Sequence, residues 1–182
     1  MSKKQITLKI ILPIVLSIVL TMSLIISGIF IFKEIVWGGF DEQMADFSII
    51  TISDEDVATK SFGRKYKSTL HCSGTDSGVT DSFYERYDST ICDHSIEKVT
   101  GITVVSATKI DNATLTLTIT SKVGSGDAKI AIIRDDTVVE YIPINADVIR
   151  EYDVSNETLF LVKAVCEDAK IDIKVEREIK PK

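Results

Sequence analysis

Histidine, cysteine and tryptophan are scarce in this chain of 182 residues, which has two His, three Cys and one Trp. Two histidines leave a metal centre dependent on cysteine or carboxylate partners, and a lone Trp37 provides no indole platform for a sugar ligand. No G-x-S-x-G, H-E-x-x-H, phosphate-binding glycine loop or EF-hand pattern occurs, so the commonest hydrolase, zinc-protease, nucleotide and calcium chemistries have no motif to start from. "TDSG" at Thr75–Gly78 contains the Asp-Ser-Gly of an aspartic protease, but no second such loop supplies the carboxylate with which Asp76 would share a proton. "STLHC", Ser68 to Cys72, resembles the active-site stretch of sortases, yet the order is wrong: only the adjacent His71 lies upstream of this cysteine. Whether the chain is an enzyme stays open, and the balance leans against it.

Charge is missing altogether between Ile10 and Phe32. As a helix this run reaches about 34 Å, enough to cross a hydrocarbon core of roughly 30 Å. It exits through Ile29, Phe30, Ile31 and Phe32 into Lys33, Glu34 and Trp37, without the small residues of a signal-peptidase site. Length and flanks favour an uncleaved anchor over a cleaved signal. Lys3, Lys4 and Lys9 precede the run and only Lys33 follows closely, which keeps the N-terminus cytoplasmic and places the rest outside the membrane. The expected organisation is a cytoplasmic N-terminus at 1–9, a single transmembrane helix at 10–37, a tether at 38–46 and an extracytoplasmic domain at 47–179.

Positive charge is also thin in that domain. Four of the 21 basic and one of the 27 acidic residues lie before Asp41, so the remainder carries 17 against 26, a net charge near −9. Such a surface repels nucleic acid and anionic lipid, and its partners are expected to be the membrane, through the helix, and a protein or cell-envelope component.

Helical periodicity is absent from the domain, and strand rhythm replaces it. "DFSIITI" reads as a first strand, and residues 53–95 as a long irregular excursion with one short helix near Ser82–Tyr87. Beyond Ile96, "ITVVSATKI", "TLTLTIT", "AKIAIIR", "TVVEYIPI", "DVIREYDV", "TLFLVKAV" and "AKIDIKVEREI" alternate with turn signals at Asp111-Asn112, "SKVGSGD" and Asp135-Asp136. Pro143 marks an edge strand or a bend. Seven or eight strands without strong helices predict an all-β antiparallel β-sandwich, Ig-like or jelly-roll-like, behind the single transmembrane helix. The rhythm from Ile102 to Val175, with the "TSKVGSGDAKI" hairpin, resembles small surface-anchored β-sandwich proteins of Gram-positive bacteria, most of them uncharacterised. That resemblance implies an architecture and carries no site.

The scarce residues nevertheless coincide. Both histidines adjoin cysteines, in His71-Cys72 and in Cys92-Asp93-His94. In an oxidising compartment Cys72 and Cys92 would close a loop of about 20 residues, worth roughly 3 kcal/mol in the chain-entropy model. Alternatively Cys72, Cys92, His94 and His71 make a Cys₂His₂ zinc site or a thiol-redox sensor, although adjacent His71 and Cys72 face opposite ways in a strand. The expected compartment favours the disulfide, with no cofactor. Cys166 reads as a buried small hydrophobe. A last candidate is a partner patch of Phe62, Arg64, Lys65, Tyr66, Lys67, Tyr84, Arg86 and Tyr87, basic and aromatic on an acidic domain, against the alternative that these aromatics simply cover the sheet.

Overall fold

Threonine and β-branched residues in strict alternation make half-buried strands, and here they make unusually long ones. The computed structural model describes residues 47–65, 68–74, 84 and 87–182. One helix, α1 (Asp54–Thr59), precedes seven strands: β1 (Phe62–Lys65), β2 (Ser68–Ser73), β3 (Ile91–Ile110), β4 (Ala113–Arg134), β5 (Thr137–Ile142), β6 (Asp147–Val154) and β7 (Thr158–Pro181). All pair antiparallel in one sheet, with β3 and β4 flanking β7. The outer flank of β3 carries β1 and β2, and that of β4 carries β5 and β6. The expected antiparallel all-β class is therefore present, while the segments read as N-terminus, transmembrane helix and tether lie outside the described residues. Among the described residues no helix is long and apolar enough to cross a membrane.

Three long strands replace what the sequence rhythm divides into more. "SKVGSGD" is no hairpin turn: β4 runs through it, with register shifts at Val123/Ser125 and Ser125/Asp127. "TLFLVKAV" and "AKIDIKVEREI" are likewise one strand, β7, bent where Asp168 takes φ 50°. β3 shifts register beside it, between Ile96 and Gly101. An extra residue in a strand flips the inward parity and bends the ladder. Hence Leu115, Leu117 and Ile119 are followed in the core by Ala128, Ile130 and Ile132, and Phe160, Val162, Ala164 and Cys166 by Ala169, Ile171, Ile173 and Val175.

The pairings set the two ends of β7 near one turn of the chain, since Ile110 and Ala113, three residues apart, pair with Thr158 and Pro181. One layer holds β2, β6 and the parts of β3, β4 and β7 that pair with them; the other holds β1, β5 and the remaining parts. Their inner faces share one apolar cluster, each large aliphatic side chain in it contributing about 1.5–3 kcal/mol by burial. Across the seam Tyr152 of β6 lies 5.0 Å from Phe160 of β7, ring centre to ring centre, and Arg150 of β6 pairs with Glu140 of β5 at 2.9 Å. Asp111-Asn112 is a turn, with Asn112 at φ 43°, but β3 and β4 do not pair across it; it carries the chain from one layer to the other. Asp135-Asp136 does close a hairpin, both residues at positive φ as a two-residue turn of the I′ type requires. Pro143 ends β5, and β6 resumes at Asp147 along the same flank of β4.

The outer face of the β1/β5 layer is covered. "DFSIITI" is a turn rather than a strand, and it buries Ile49 against Ile102, Val104, Ala131, Ile133, Leu161 and Val165. α1 follows with Val57 and Ala58 in the same cluster. Ser53 caps it, its Oγ accepting from the Asp56 N–H at 3.1 Å, and Asp54, Glu55 and Asp56 suit the positive end of the short helix. The predicted excursion at 53–95 thus holds α1, β1, β2 and the start of β3. The helix expected at Ser82–Tyr87 falls largely outside the described residues.

Candidate functional site

β2 is a six-residue edge strand whose register sets Cys72 directly opposite Cys92, His71 opposite Asp93 and Leu70 opposite His94. Directly opposed residues of an antiparallel pair have Cα atoms about 4.5–5.5 Å apart, within the range that a disulfide spans. The two sulfurs stand 2.6 Å apart with no bond between them. Cys72 is half-buried and Cys92 fully buried, its Sγ–H donating to the Tyr87 carbonyl at 3.4 Å. The adjoining Cys92 thiol, and after it the Arg177 charge, hold the Cys72 thiol below the ordinary range. The same pairing, reinforced by burial, pushes Cys92 well above it.

The register does not bring the four metal-site candidates together. Alternation sends His71, exposed beside Asp93, to the face opposite Cys72, while His94 is buried on the Cys92 face among core residues. Among the described residues no three His, Cys, Asp or Glu side chains lie where they would hold a metal ion. Cys166 is buried in the inner cluster, opposite Gly101 and Ala128.

Arg177 completes the surroundings of the cysteines and was not among the sequence candidates. Its side chain, 2% exposed, reaches from one layer to the other: one terminal nitrogen donates to Asp88 at 2.8 Å, the Ala107 carbonyl at 3.1 Å and the Thr108 hydroxyl at 3.0 Å. Its other terminal nitrogen is buried without a hydrogen-bond partner. A recess of about 290 Å³ opens beside it, lined also by Thr90, Thr116, Thr118, Glu176 and Glu178. The clue in the sequence is parity, because Ile171, Ile173, Val175 and Arg177 share one inward face.

Lys163 is the second missed residue. It is fully buried under α1 and donates to the carbonyls of Val57 at 3.0 Å, Ala58 at 2.6 Å and Lys60 at 3.0 Å, satisfying the end of the helix. Burial pulls its ammonium down to about 8. A single lysine in the apolar run "LFLVKAV" is the visible signal.

The aromatics of the anticipated partner patch are engaged in packing. Tyr87 is buried, Tyr84 and Phe62 pack on the outer cluster, and Phe62 meets Phe47 edge to face at 5.7 Å. Arg64 and Lys65 lie on β1 opposite Thr100 and Val99, whereas Tyr66, Lys67 and Arg86 are outside the described residues. Among the described residues, no element covers the outer face of the β2/β6 layer, where Thr114, Thr116, Thr118 and Thr120 run beside Asp147, Ile149, Glu151 and Asp153 of β6 and Lys174, Glu176, Glu178 and Lys180 of β7. Compared with known proteins, the chain matches no family model and no curated sequence.

Proposed function

We propose that this chain is a membrane-anchored extracytoplasmic interaction or structural module, held by the apolar run at 10–37 with its C-terminal domain outside. We read the folded-over sheet as the two-layer sandwich of such a domain. The observation that carries the reading is the asymmetry of its outer faces: residues 47–60 cover one, and among the described residues nothing covers the other, with Thr116, Thr118, Glu151 and an Ile149 that is 65% exposed. That face is rich in hydroxyls and carries carboxylates at Asp147 and Glu151, beside the Lys174–Glu176 and Lys180–Glu178 pairs, and it suits a neutral or basic protein or cell-envelope partner. Fractionation of producing cells tests the placement. The chain is expected in the membrane fraction, resistant to carbonate extraction, with residues 47–182 removed by protease added outside. Recovery as a soluble protein, or protection from that protease, overturns it.

A second reading, a thiol-redox ectodomain, draws on the register of Cys72 with Cys92. In an oxidising compartment the pair would crosslink β2 to β3 and fasten a short strand whose pairing, among the described residues, is with β3 alone.

A further inference from the structure

The Cys72–Cys92 pair is asymmetric in access, in proton affinity and in position. Cys72 sits half-exposed on β2, which among the described residues forms an edge of the sheet, so an incoming sulfur can reach it. Cys92 lies beneath it on β3, fully buried and hydrogen-bonded to Tyr87. Arg177, two residues along β7 from the Val175 that pairs with Cys92, lies nearby in a buried ion pair with Asp88.

We propose that Cys72 and Cys92 form a thiol–disulfide exchange site, in which Cys72 is the sulfur that meets a partner thiol or disulfide and Cys92 resolves the mixed disulfide. The proposal rests on the thiol-redox reading and is independent of the anchor. In the oxidising direction the Cys72 thiolate attacks one sulfur of an external disulfide R–S–S–R; that S–S bond breaks and one RS⁻ departs. Cys92 then gives up its proton to the departing thiolate through water and attacks Cys72 Sγ, forming the Cys72–Cys92 bond and releasing the second RS⁻. That thiolate takes from solvent the proton Cys72 lost. Two protein thiols become one disulfide, and the external disulfide is reduced to two thiols. The reverse begins when an external thiolate attacks Cys72 Sγ, the accessible end of the bond, and expels Cys92. The partner class is therefore an extracytoplasmic protein or small molecule carrying an accessible disulfide or dithiol.

Glutathione serves as the probe on the full chain, with mass mapping of each cysteine. Oxidised glutathione is expected to leave wild type with a Cys72–Cys92 crosslink, which reduced glutathione reopens while the protein stays folded. Cys92→Ser, with Cys92→Ala in parallel should the serine variant not fold, is expected to accumulate one glutathione on Cys72. Cys72→Ser is expected to lose the adduct. A crosslink that forms but resists reduced glutathione overturns the exchange site and leaves a structural staple standing. Absence of any crosslink, with both thiols alkylated, overturns the thiol-redox reading as well. Glutathione on Cys166 in preference to Cys72 sinks the assignment of the attacking sulfur.

Discussion

Two buried cations decide much of the local energetics, and they act in opposite ways. Arg177 is neutralised by Asp88 between the layers; Lys163 has no such partner among its hydrogen bonds and relies on three carbonyls. Replacing Arg177 by Met strips the nearly buried Asp88 of this cation, and a loss of about 3–5 kcal/mol is expected by denaturant titration. The double variant Arg177→Met, Asp88→Asn is expected to lose less than the single one; an equal or larger loss would show that the charge pair is not the source. Lys163→Met leaves the carbonyls at the end of α1 without donors, at a cost of about 1–3 kcal/mol, and residues 47–60 are expected to become protease-sensitive before the sheet unfolds. The pH dependence follows from the same residue. Its folded ammonium releases its proton near pH 8, whereas the unfolded chain holds it to 10.5. Between those values the unfolded state binds more protons, so this group adds stability as pH rises through that window. Tyr141 is 39% exposed, and its hydroxyl donates to Asp54 at 2.7 Å; partial desolvation and that carboxylate push it up to about 12, and its contribution is lost as pH climbs from 10 through 12. A stability maximum near pH 10 is expected from these two groups in melts across pH, and Lys163→Met should flatten its acidic flank.

At the scale of elements the glycines at the bends matter more than the turns between strands. Gly101 on β3 has φ +127°, and a Cβ there would stand 2.2 Å from the Phe62 carbonyl oxygen of β1. Gly126 on β4 has φ +72°, with the Asp168 carbonyl oxygen of β7 at 2.3 Å. Both permit the close backbone approach that a bent, bulged ladder demands. Gly101→Ala and Gly126→Ala are each expected to cost about 1–3 kcal/mol. Gly124→Ala is the control: its Cβ would make an ordinary contact, 3.5 Å from the Lys170 side chain, and a change within about 0.5 kcal/mol is expected. Equal melting points for all three variants would remove the bends as the reason for these glycines. The boundaries of β5 and β6 were readable because Asp135-Asp136 and Pro143 stop a strand by local chemistry. "SKVGSGD" carries the same small and polar residues, but there they bend a strand without ending it, and only the partner strand distinguishes the two outcomes. α1 was legible in retrospect from Ser53 ahead of Asp54, Glu55 and Asp56, a capping signature inside a segment otherwise without periodicity.

At the scale of the whole molecule, β7 is central to both layers, pairing along its length with β3 and β4. Loss of 170–182 deletes the middle strand of the β2/β6 layer, so a chain ending at 169 is expected to show no cooperative unfolding transition. Residues 47–182 form one compact unit and are expected to melt in a single step. A cooperative transition in the truncated chain would mean that the β1/β5 layer folds alone. Most pairings join residues far apart in sequence, which places folding in the slow, millisecond-to-second regime of non-local sheets. The candidate site shares this long-range character, since Cys72 and Cys92 come from β2 and β3 whereas Arg177 and Asp88 are 89 positions apart.

Sequence alone determined what depends on near neighbours: the alternation that makes strands, the inward parity of Leu115, Leu117 and Ile119, the Asp135-Asp136 hairpin, and the opposite facing of His71 and Cys72. The pairing of Cys72 with Cys92 was one possibility among several until the β2 register placed them opposite each other. Tertiary structure alone decided that β3, β4 and β7 run unbroken through their bends, that the Asp111-Asn112 turn joins two layers, and that Arg177 and Lys163 are buried. Side-chain periodicity is a local property, whereas the continuity of a bent strand and the partner of a buried charge are set by backbone and carbonyls that arrive from distant parts of the chain.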